Sequence, residues 1–569
     1  MVTLEDNHDF SESAFDRKYR VLLASQNELI RLSLEKFFED TEFSLSLVYN
    51  RQEALEMIDR EDFDVVIANI NTKPHEVFLF RDEFRRSHER LPLLVMTPLF
   101  NLSDSKLLGH IVEDPHSYYI PENADRKFML GKLRQVISSY HLINAVERLK
   151  GRINRNWIIA NQLQQAMLPP WVYFGENYEF SYLYRPFTKI SGDLFEWLPL
   201  GEDQALFIFG DIAGHGTHSA LAMTAVQSFL KQIILLDKEK ARHPALIAAE
   251  INDFFCTHLR NIVYMSSLIA YIDFKDNYLC YQNAGYVDIT CVNADTGEFE
   301  DINPENRGSL PLGMVRNTVY TDEDNVEYHF SDSSVFLFAS DGLNDLAKNR
   351  EGTSYLDVSL CRKLSALLVT ESQKDNKSVT VPFRVYHQLE QFGYIYPQDD
   401  LTMVLIRKSR LHEKDHVFSC RVPADKKAVD EICEAASKFV TEFYDDEVLS
   451  VNTELLLEEY LENVVFHGLN EYEKLNDYIA VKICAYEHEI KLIIWDHGRE
   501  WNGLYMPQEE AEQSLEKLNI NLMPHGRGVP IISKIATQIS RQRYCGLNES
   551  IFIIQRNSAS ENTSETDRK

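Results

Sequence analysis

Apolar runs in the first part of the chain alternate with stretches in which apolar residues recur every three or four positions. The runs YRVLLA, LSLVY, DVVIANI, PLLVM and YYI have the length and composition of buried strands, and the stretches between them have the period of amphipathic helices. Strands and helices that alternate at this spacing predict a doubly wound parallel sheet over residues 18–140. The polar, acidic residues 1–17 predict a mobile leader.

A long helical pattern covers residues 141–170 and ends at the dipeptide Pro169-Pro170. Its apolar positions step by alternating fours and threes, which is the repeat of a coiled-coil seam. The pattern predicts either a helix that pairs with a second chain, giving a homodimer through residues 141–168, or a helix that packs on its own chain. The seam consists of Leu142, Val146, Leu149, Ile153, Asn156, Ala160, Leu163 and Met167.

Residues 171–410 combine many strand-like runs with two apolar helices, which predicts an α/β sandwich. Several acids stand where these runs meet turns, and an aspartate at a buried strand end needs a cation or several hydrogen-bond donors. Together they predict one carboxylate cluster that suits Mg²⁺ or Mn²⁺ rather than zinc. The alternatives are ordinary turn and cap residues, or a phosphate cradle in GDIAGHG. The acids are Asp193, Asp211, Asp341 and either Asp399 or Asp400.

A further group of candidate functional residues lies in residues 415–556. The segment LLLEEYLENVVFHGLN has the pattern of an amphipathic helix, and polar residues four apart share one of its faces. An aspartate and a glycine follow the strand-like run IKLIIWD, and two more glycines precede a further helix. The alternative is an exposed helix followed by two turns, and residues 557–569 predict a disordered tail. The candidates are Glu459, Asn463, His467, Asp496, Gly498, Gly526 and Gly528.

Composition narrows the classes of partner. The length of 569 residues suffices for three or four domains. A net charge of -30 argues against a nucleic acid or an anionic membrane as the main partner, although a protein with a basic face fits. The sequence predicts no signal peptide and no membrane span. Its eight scattered cysteines form no CxxC pair, which predicts a reducing, cytoplasmic location.

The middle segment resembles SpoIIE-type serine/threonine phosphatases of the PPM family. The motifs SGDLFEW, GDIAGHG, NAGY, PLGM, ASDGLND and DDLT follow one another in the order found in that family. The resemblance implies two Mn²⁺ or Mg²⁺ ions, with Asp211 between them, that activate a water for attack on a phosphoserine or phosphothreonine. It favours Asp399 over Asp400. The implied metal ligands are the carboxylates of Asp193, Asp211, Asp341 and Asp399, which are also the catalytic residues, and the carbonyl of Ile212.

The last segment resembles the GHKL ATPase fold, and within it the anti-sigma-factor serine kinases of the RsbW type. The resemblance implies that Asn463 holds the Mg²⁺ of Mg-ATP and that Glu459 is the catalytic base for a substrate hydroxyl. Asp496 would accept the adenine amino group, and His467 would be structural. Gly498, Gly526 and Gly528 would let the backbone approach the nucleotide, with a polar lid between Trp501 and Pro524. The absence of a histidine box before this segment disfavours a histidine kinase.

The first segment resembles a receiver domain that has lost its chemistry. Asn69 stands at the end of the third strand where the family has its phosphoryl-accepting aspartate, and Ser25 and Gln26 replace the acidic pair. An amide forms no acyl phosphate, and a site without acids does not hold Mg²⁺. The segment is therefore predicted to be a degenerate receiver, either a sensor of a ligand or partner or a dimerisation scaffold.

The order of the three segments resembles that of fused bacterial partner-switching regulators. The resemblance implies a bifunctional enzyme that dephosphorylates and phosphorylates a serine or threonine on a STAS-type antagonist of an anti-sigma factor, and so controls a sigma factor. The alternative is a protein that sequesters the sigma factor or antagonist, with an active phosphatase and a vestigial kinase. The predicted fold is multidomain α/β, with a doubly wound receiver-like domain and two α/β sandwiches.

Overall fold

The structure is a computed structural model of the chain. It describes residues 18–69, 74–98, 114–214, 216–259, 262–285, 287–303, 308–409, 416–469, 478–500, 507 and 528–556. The predicted leader and tail, Gly526, and the predicted lid apart from Pro507 lie outside the described residues. The chain divides into two compact units, Met1–Asn156 and Trp157–Lys569.

The first unit is built on a parallel five-stranded sheet of order β2-β1-β3-β4-β5. Apolar clusters cover both faces of the sheet, which explains why its strands read as continuous apolar runs. This order is one of the two common doubly wound arrangements, and it confirms the predicted sheet. The elements are β1 (Tyr19–Ser25), α1 (Glu28–Phe38), β2 (Phe43–Val48), α2 (Arg51–Arg60), β3 (Val65–Asn69), α3 (Pro74–Ser87), β4 (Leu93–Thr97) and β5 (Ser117–Pro121).

A single helix, α4 (Arg126–Met167), contains both the last helix of the first unit and most of the helical pattern predicted over residues 141–170. Its first turns bury Met129, Leu133 and Ile137 in the core of the first unit. Gly151 does not interrupt it. The predicted seam is exposed at most of its apolar positions, since Leu142, Val146, Leu149, Ile153 and Leu163 are 40–66% exposed.

The middle of the chain forms two stacked antiparallel sheets, with helices on both outer faces. One sheet has the order β14-β11-β10-β9-β8 and the other β13-β12-β15-β16-β7-β6. The elements are β6 (Val172–Phe174), β7 (Tyr178–Arg185), β8 (Asp193–Pro199), β9 (Gln204–Ile212), α5 (Thr217–Leu236), α6 (Pro244–His258), β10 (Met265–Asp273), β11 (Tyr278–Ala284), β12 (Ile289–Asn293), β13 (Phe299–Glu300), β14 (Val326–His329), β15 (Ser334–Ala339), α7 (Val358–Lys374), α8 (Val381–Gln391) and β16 (Leu401–Lys408).

Strand β9 shows how the sequence sets these layers. Its odd positions Phe207 and Phe209 belong to the core between the two sheets, whereas Leu206 and Ile208 belong to the core under α5 and α6. Both faces of β9 are thus buried, which accounts for its unbroken apolar run. Among the described residues, α5 is the one helix that is long and apolar enough to span a bilayer, but half of that stretch is buried in this core.

The last part of the chain forms an antiparallel sheet of order β17-β18-β19-β21-β20 with helices on one face. The aspartates Asp425 and Asp446 cap the first two of these helices by accepting from the amides of Ala428 and Leu449. The elements are β17 (Val417–Pro423), α9 (Lys426–Tyr444), α10 (Glu447–Asn463), β18 (Tyr478–Ala485), β19 (Glu489–Asp496), α11 (Gly528–Ile535), β20 (Gln538–Tyr544) and β21 (Leu547–Gln555). The predicted multidomain α/β fold is confirmed.

The other face of this sheet shares a core with the sandwich. Cys484, Ile493 and Trp495 join the same apolar cluster as the inter-sheet core and helices α7 and α8. The Trp171 indole N–H donates to the Tyr478 carbonyl at 2.6 Å. The sequence predicted separate segments over residues 171–410 and 415–556, and the structure shows in addition that the two share one apolar core.

Candidate functional site

The acidic cluster is assembled from both sheets of the sandwich. Strands β8 and β9 are antiparallel neighbours, and their register places Asp193 directly opposite Asp211. Asp341 follows the end of β15 and Asp399 precedes β16, and these two strands are hydrogen-bonded neighbours in the other sheet. The structure therefore brings the four predicted aspartates to one edge of the sandwich, where their carboxylates interact electrostatically.

Burial and mutual repulsion dominate the electrostatics of this edge. Asp193 is 1% exposed, and its Oδ2 accepts from the Thr402 hydroxyl at 2.5 Å. Burial, followed by the charge of Asp211, raises the pKa of Asp193 well above its usual value. Burial and then the charges of Asp341 and Asp399 raise the pKa of Asp211 to about 7. Bound cations would relieve both the lost hydration and the repulsion.

Asp399 and Asp400 have different surroundings. Asp400 is 4% exposed, and its two oxygens accept from the amides of Phe187 at 2.7 Å and Gly192 at 2.8 Å. It thus holds the loop that carries Asp193. Asp399 is half-buried and accepts from the Asp400 amide through Oδ1 at 2.8 Å. A carboxylate with both oxygens engaged by backbone amides is a poor candidate for a metal ligand, and this supports Asp399.

Two glycines allow the close approach of the backbones at this edge. A Cβ on Gly192 would lie 3.2 Å from the Ile212 carbonyl and 2.9 Å from the Ser219 Cβ, so the loop before Asp193 packs directly on Ile212. A Cβ on Gly342 would clash with the Asp400 carbonyl. Among the residues that the structure describes, the candidate metal ligands at this edge offer oxygen atoms, which fit hard divalent cations such as Mg²⁺ or Mn²⁺.

Sequence reasoning missed two residues at this site. Gln164, near the end of α4, is 3% exposed; its amide donates to the Ser191 carbonyl at 2.7 Å and accepts from the Ser191 N–H at 3.0 Å. The helix is therefore tied to the loop just before Asp193. Asp345 interacts electrostatically with Asp341 and Asp399. A polar residue beside a helical seam carries no special signal, although Asp345 stands in the quoted motif ASDGLND.

The candidate nucleotide site centres on Asp496 at the end of β19. Asp496 is 1% exposed; its Oδ1 accepts from the Gly498 amide at 2.8 Å and the Asn548 side chain at 2.7 Å, and its Oδ2 accepts from the Tyr460 hydroxyl at 3.0 Å. A carboxylate has about four acceptor positions. These three donors therefore leave one position on Oδ2 for a further donor such as an adenine amino group.

Glu459 and Asn463 lie one turn apart at the end of α10, facing the start of α11. A Cβ on Gly528 would lie 2.7 Å from Asn463 Nδ2 and 2.9 Å from Glu459 Oε2, so only a glycine lets this backbone approach the pair. Such a cradle fits the phosphates and Mg²⁺ of a nucleotide. The predicted helix changes to a π-turn over Val464–Gly468, so the α-helical spacing that placed His467 on the same face ends at Asn463.

Asn69, at the end of β3, is engaged by hydrogen bonds on both its oxygen and its nitrogen. Asn69 is 3% exposed; it accepts from the Ser25 hydroxyl at 2.9 Å and donates to Glu122 at 2.7 Å. An amide satisfied in this way is consistent with the prediction that no phosphoryl group is accepted there. Glu122 was not identified from the sequence.

Comparisons with known proteins identify both segments of the second unit. Residues 201–409 match the family Stage II sporulation protein E (SpoIIE), and residues 422–550 match the Histidine kinase-like ATPase domain. The curated relative Protein IcfG of Synechocystis sp. is 24% identical over 203 residues, which are 32% of this chain and 30% of the relative. The chain thus matches about a third of that relative's length.

Solved structures of low sequence identity resemble parts of the chain. The RsbU and RsbW domains of Rv1364c from Mycobacterium tuberculosis are 17% identical, with a TM-score of 0.34, and the match covers 68% of this chain and 97% of theirs. The SiaA-PP2C domain of Pseudomonas aeruginosa is 19% identical, with a TM-score of 0.38, and the match covers 46% of this chain and 98% of that domain.

Proposed function

We propose that this chain, which joins a SpoIIE-type phosphatase domain to a histidine kinase-like ATPase domain, is a partner-switching regulator. It removes a phosphoryl group from a serine or threonine of a STAS-type antagonist protein and adds one at the expense of ATP, and it thereby controls a sigma factor. The observation that carries the phosphatase half is the meeting of Asp193, Asp211, Asp341 and Asp399 at one edge of the sandwich.

In the phosphatase half, the chain's own residues position and shield the reacting groups. When bound, a pair of Mn²⁺ or Mg²⁺ ions would supply an activated water and neutralise phosphoryl oxygens. Asp193, Asp211, Asp341 and Asp399 would hold these ions through their carboxylates, and the Ile212 carbonyl would add a neutral oxygen. Thr402 fixes Asp193 by its 2.5 Å hydrogen bond, so the cluster is oriented before the substrate arrives.

In the kinase half, Glu459 and Asn463 would act on the two sides of the transferred group. Asn463 would hold the Mg²⁺ of Mg-ATP, and Asp496 would accept the adenine amino group through its remaining acceptor position. The substrate hydroxyl oxygen would bond to the γ-phosphorus of ATP, the bond from that phosphorus to the β–γ bridging oxygen would break and release ADP, and the hydroxyl proton would pass to the Glu459 carboxylate. Gly528 would let the α11 N-terminus meet the phosphates.

The remaining segments would supply control. The exposed seam of α4 fits a homodimer through residues 141–168, since five apolar side chains at coiled-coil spacing stand in solvent. The receiver-like unit would set which activity prevails by binding a ligand or partner rather than by phosphorylation.

The phosphatase half is tested with the full-length chain and a chromogenic phosphate monoester. Asp211→Asn should lower Mn²⁺-dependent hydrolysis by about 10²-fold or more, because it removes the acid shared by the cluster. Asp288→Asn is the matched control: this aspartate is exposed, pairs with Arg362 and lies outside the cluster, so the variant should hydrolyse normally. Retained hydrolysis in Asp211→Asn would refute the assignment.

The kinase half is tested with radiolabelled ATP and a STAS-domain antagonist. Transfer to the antagonist by the wild type, and its loss in Glu459→Gln, supports the bifunctional enzyme. Absence of transfer at saturating Mg-ATP with partner binding retained indicates the sequestering protein instead.

A further inference from the structure

We propose that His387, Glu390 and Cys545 form a second metal site, specific for a softer divalent cation such as Zn²⁺, that fastens the phosphatase domain to the ATPase domain. His387 and Glu390 lie on α8 of the phosphatase, and Cys545 lies in the turn between β20 and β21 of the ATPase. The proposal does not rest on the function proposed above.

The three side chains lie close to the spacing that a metal requires. Their ligand atoms all lie within 4.8 Å of one another. The Cys545 thiol donates to Glu390 Oε2 at 3.3 Å, and His387 Nδ1 lies 4.0 Å from the same oxygen. In a tetrahedral site with metal–ligand bonds of about 2.0–2.3 Å, ligand atoms are roughly 3.3–3.8 Å apart. Small side-chain rotations would therefore close the site.

The backbone at Cys545 gives a second, independent observation. The register ends with Tyr544 opposite Leu547, so Cys545 and Gly546 form a two-residue hairpin turn. Both have positive φ, +51° for Cys545 and +98° for Gly546. Asparagine, aspartate or glycine suits the first position, and another residue there costs on the order of 1 kcal/mol. A cysteine held in this strained conformation, with its sulfur directed across the domain junction, indicates a role for the side chain.

The surroundings fit a bound cation. His387 Nε2 lies 3.0 Å from Nε2 of Gln391. Turning this amide by 180° would place its oxygen there to accept from Nε2–H, and would leave the Nδ1 lone pair of His387 for the cation. Arg185 lies 3.7 Å from the other oxygen of Glu390, Oε1, and stacks on the Tyr386 ring. Arg185 also interacts with the Cys545 sulfur, so it contacts two of the three proposed ligands and positions both side chains.

The donor set separates this site from the acidic cluster. One sulfur, one imidazole nitrogen and one carboxylate oxygen select Zn²⁺ or Co²⁺, whereas the all-oxygen cluster selects Mg²⁺ or Mn²⁺. Binding breaks the S–H bond of Cys545 and forms a metal–sulfur bond, and the proton leaves to solvent. The alternative is that the thiol only donates its hydrogen bonds to Glu390 and, at 3.7 Å, to the Phe383 carbonyl.

Cobalt titration of the full-length, reduced chain distinguishes the two. Co²⁺ bound through a thiolate gives a near-ultraviolet sulfur-to-metal charge-transfer band, which an oxygen-only site cannot give. We expect a band that saturates at one Co²⁺ per chain, disappears on adding Zn²⁺, and is absent in Cys545→Ser. Cys420→Ser, which removes the other partly exposed cysteine, is the matched control and should keep the band. Asp211→Asn should also keep the charge-transfer band, so a failure of the phosphatase proposal and a failure of this proposal can be told apart.

No band in the wild type, or an undiminished band in Cys545→Ser, overturns the proposal. A second variant gives a readout that does not depend on spectra. Asparagine tolerates the left-handed backbone at position 545, so the Cys545→Asn variant should fold. Its thermal unfolding midpoint should equal or exceed that of the metal-free wild type. Zn²⁺ should raise the wild-type midpoint and leave that of the variant unchanged; equal rises in both would contradict a cysteine ligand.

Discussion

A buried charge cluster between the two domains of the second unit gives a sharp test of how they are joined. Glu179 on β7 accepts from Arg407 Nε on β16 at 2.8 Å and from Lys482 Nζ on β18 at 2.5 Å. The side chains are 4%, 2% and 1% exposed, respectively. We predict that Glu179→Gln strongly destabilises this unit, because it leaves two buried cations without their anion.

The magnitude follows from the burial and from the pKa of Glu179. Removing one partner of a buried ion pair costs about 3–5 kcal/mol. Burial alone would raise the pKa of Glu179, but Arg407 and Lys482 outweigh it and lower the pKa from 4.5 to about 2. That shift corresponds to about 3 kcal/mol in favour of the folded state. This contribution is present above pH 4.5 and is lost as the pH falls towards 2, so the difference between variant and wild type should shrink in acid.

The assay is urea unfolding of the full-length chain, followed by tryptophan fluorescence. Trp171 and Trp495 are 5% and 0% exposed at the junction and report on its opening. Glu371→Gln is the matched control: Glu371 is 51% exposed in its pair with Arg384, so this change should cost less than about 1 kcal/mol. Lys482→Met leaves Glu179 and Arg407 as an ion pair with no net charge. It should therefore lower the free energy of unfolding by less than Glu179→Gln does.

The reasoning fails if Glu179→Gln is no more destabilising than the exposed control. It also fails if Lys482→Met costs as much as Glu179→Gln, because the prediction depends on which charges are left unpaired rather than on the loss of any one contact.

Three further predictions concern the other segments. Asn463→Ala should abolish Mg-ATP binding in calorimetry while Mn²⁺-dependent phosphate release persists; an unchanged nucleotide affinity would contradict the nucleotide site. Ile153→Asp places a charge in the exposed seam of α4 and should halve the mass measured by light scattering, whereas equal masses would refute the coil. Acetyl phosphate should label no residue of the receiver-like unit, because Asn69 cannot form an acyl phosphate, and a phosphorylated peptide found there by mass spectrometry would overturn this.

The strand-end acids could be predicted because strand and turn patterns are local. Asp193 follows a glycine and begins an apolar run, and Asp211 closes one, so the sequence alone places both at the ends of buried strands. Their convergence needs the antiparallel register of β8 and β9, which no single segment specifies. The choice between Asp399 and Asp400 likewise depended on resemblance, since the amides that engage Asp400 belong to Phe187 and Gly192, far away along the chain.

The fused core of the second unit could not be predicted, for a physical reason. Strands β18 and β19 are apolar on both faces, which is also the pattern of a strand buried inside one domain. A lysine within a strand, such as Lys482 in β18, is normally taken as a sign that its side chain faces solvent. Lys482 is instead buried, because it pairs with the opposite charge of Glu179, about three hundred residues earlier in the chain. The periodicity of apolar residues indicates that a face of a strand is buried, but it does not indicate which segment of the chain packs against that face.

The end of helix α4 and the segment that follows it lie beside both candidate sites. Gln164 holds the Ser191 backbone beside the metal ligand candidate Asp193. Trp171, which follows the helix after two prolines, packs its ring 5.1 Å from that of His497, the residue next to Asp496. A displacement at the end of this helix would therefore act on the loop of the acidic cluster and on the strand of the nucleotide site together. The two opposing activities proposed for this chain would need such a common element, because control exerted at only one site would leave the other to cancel its effect.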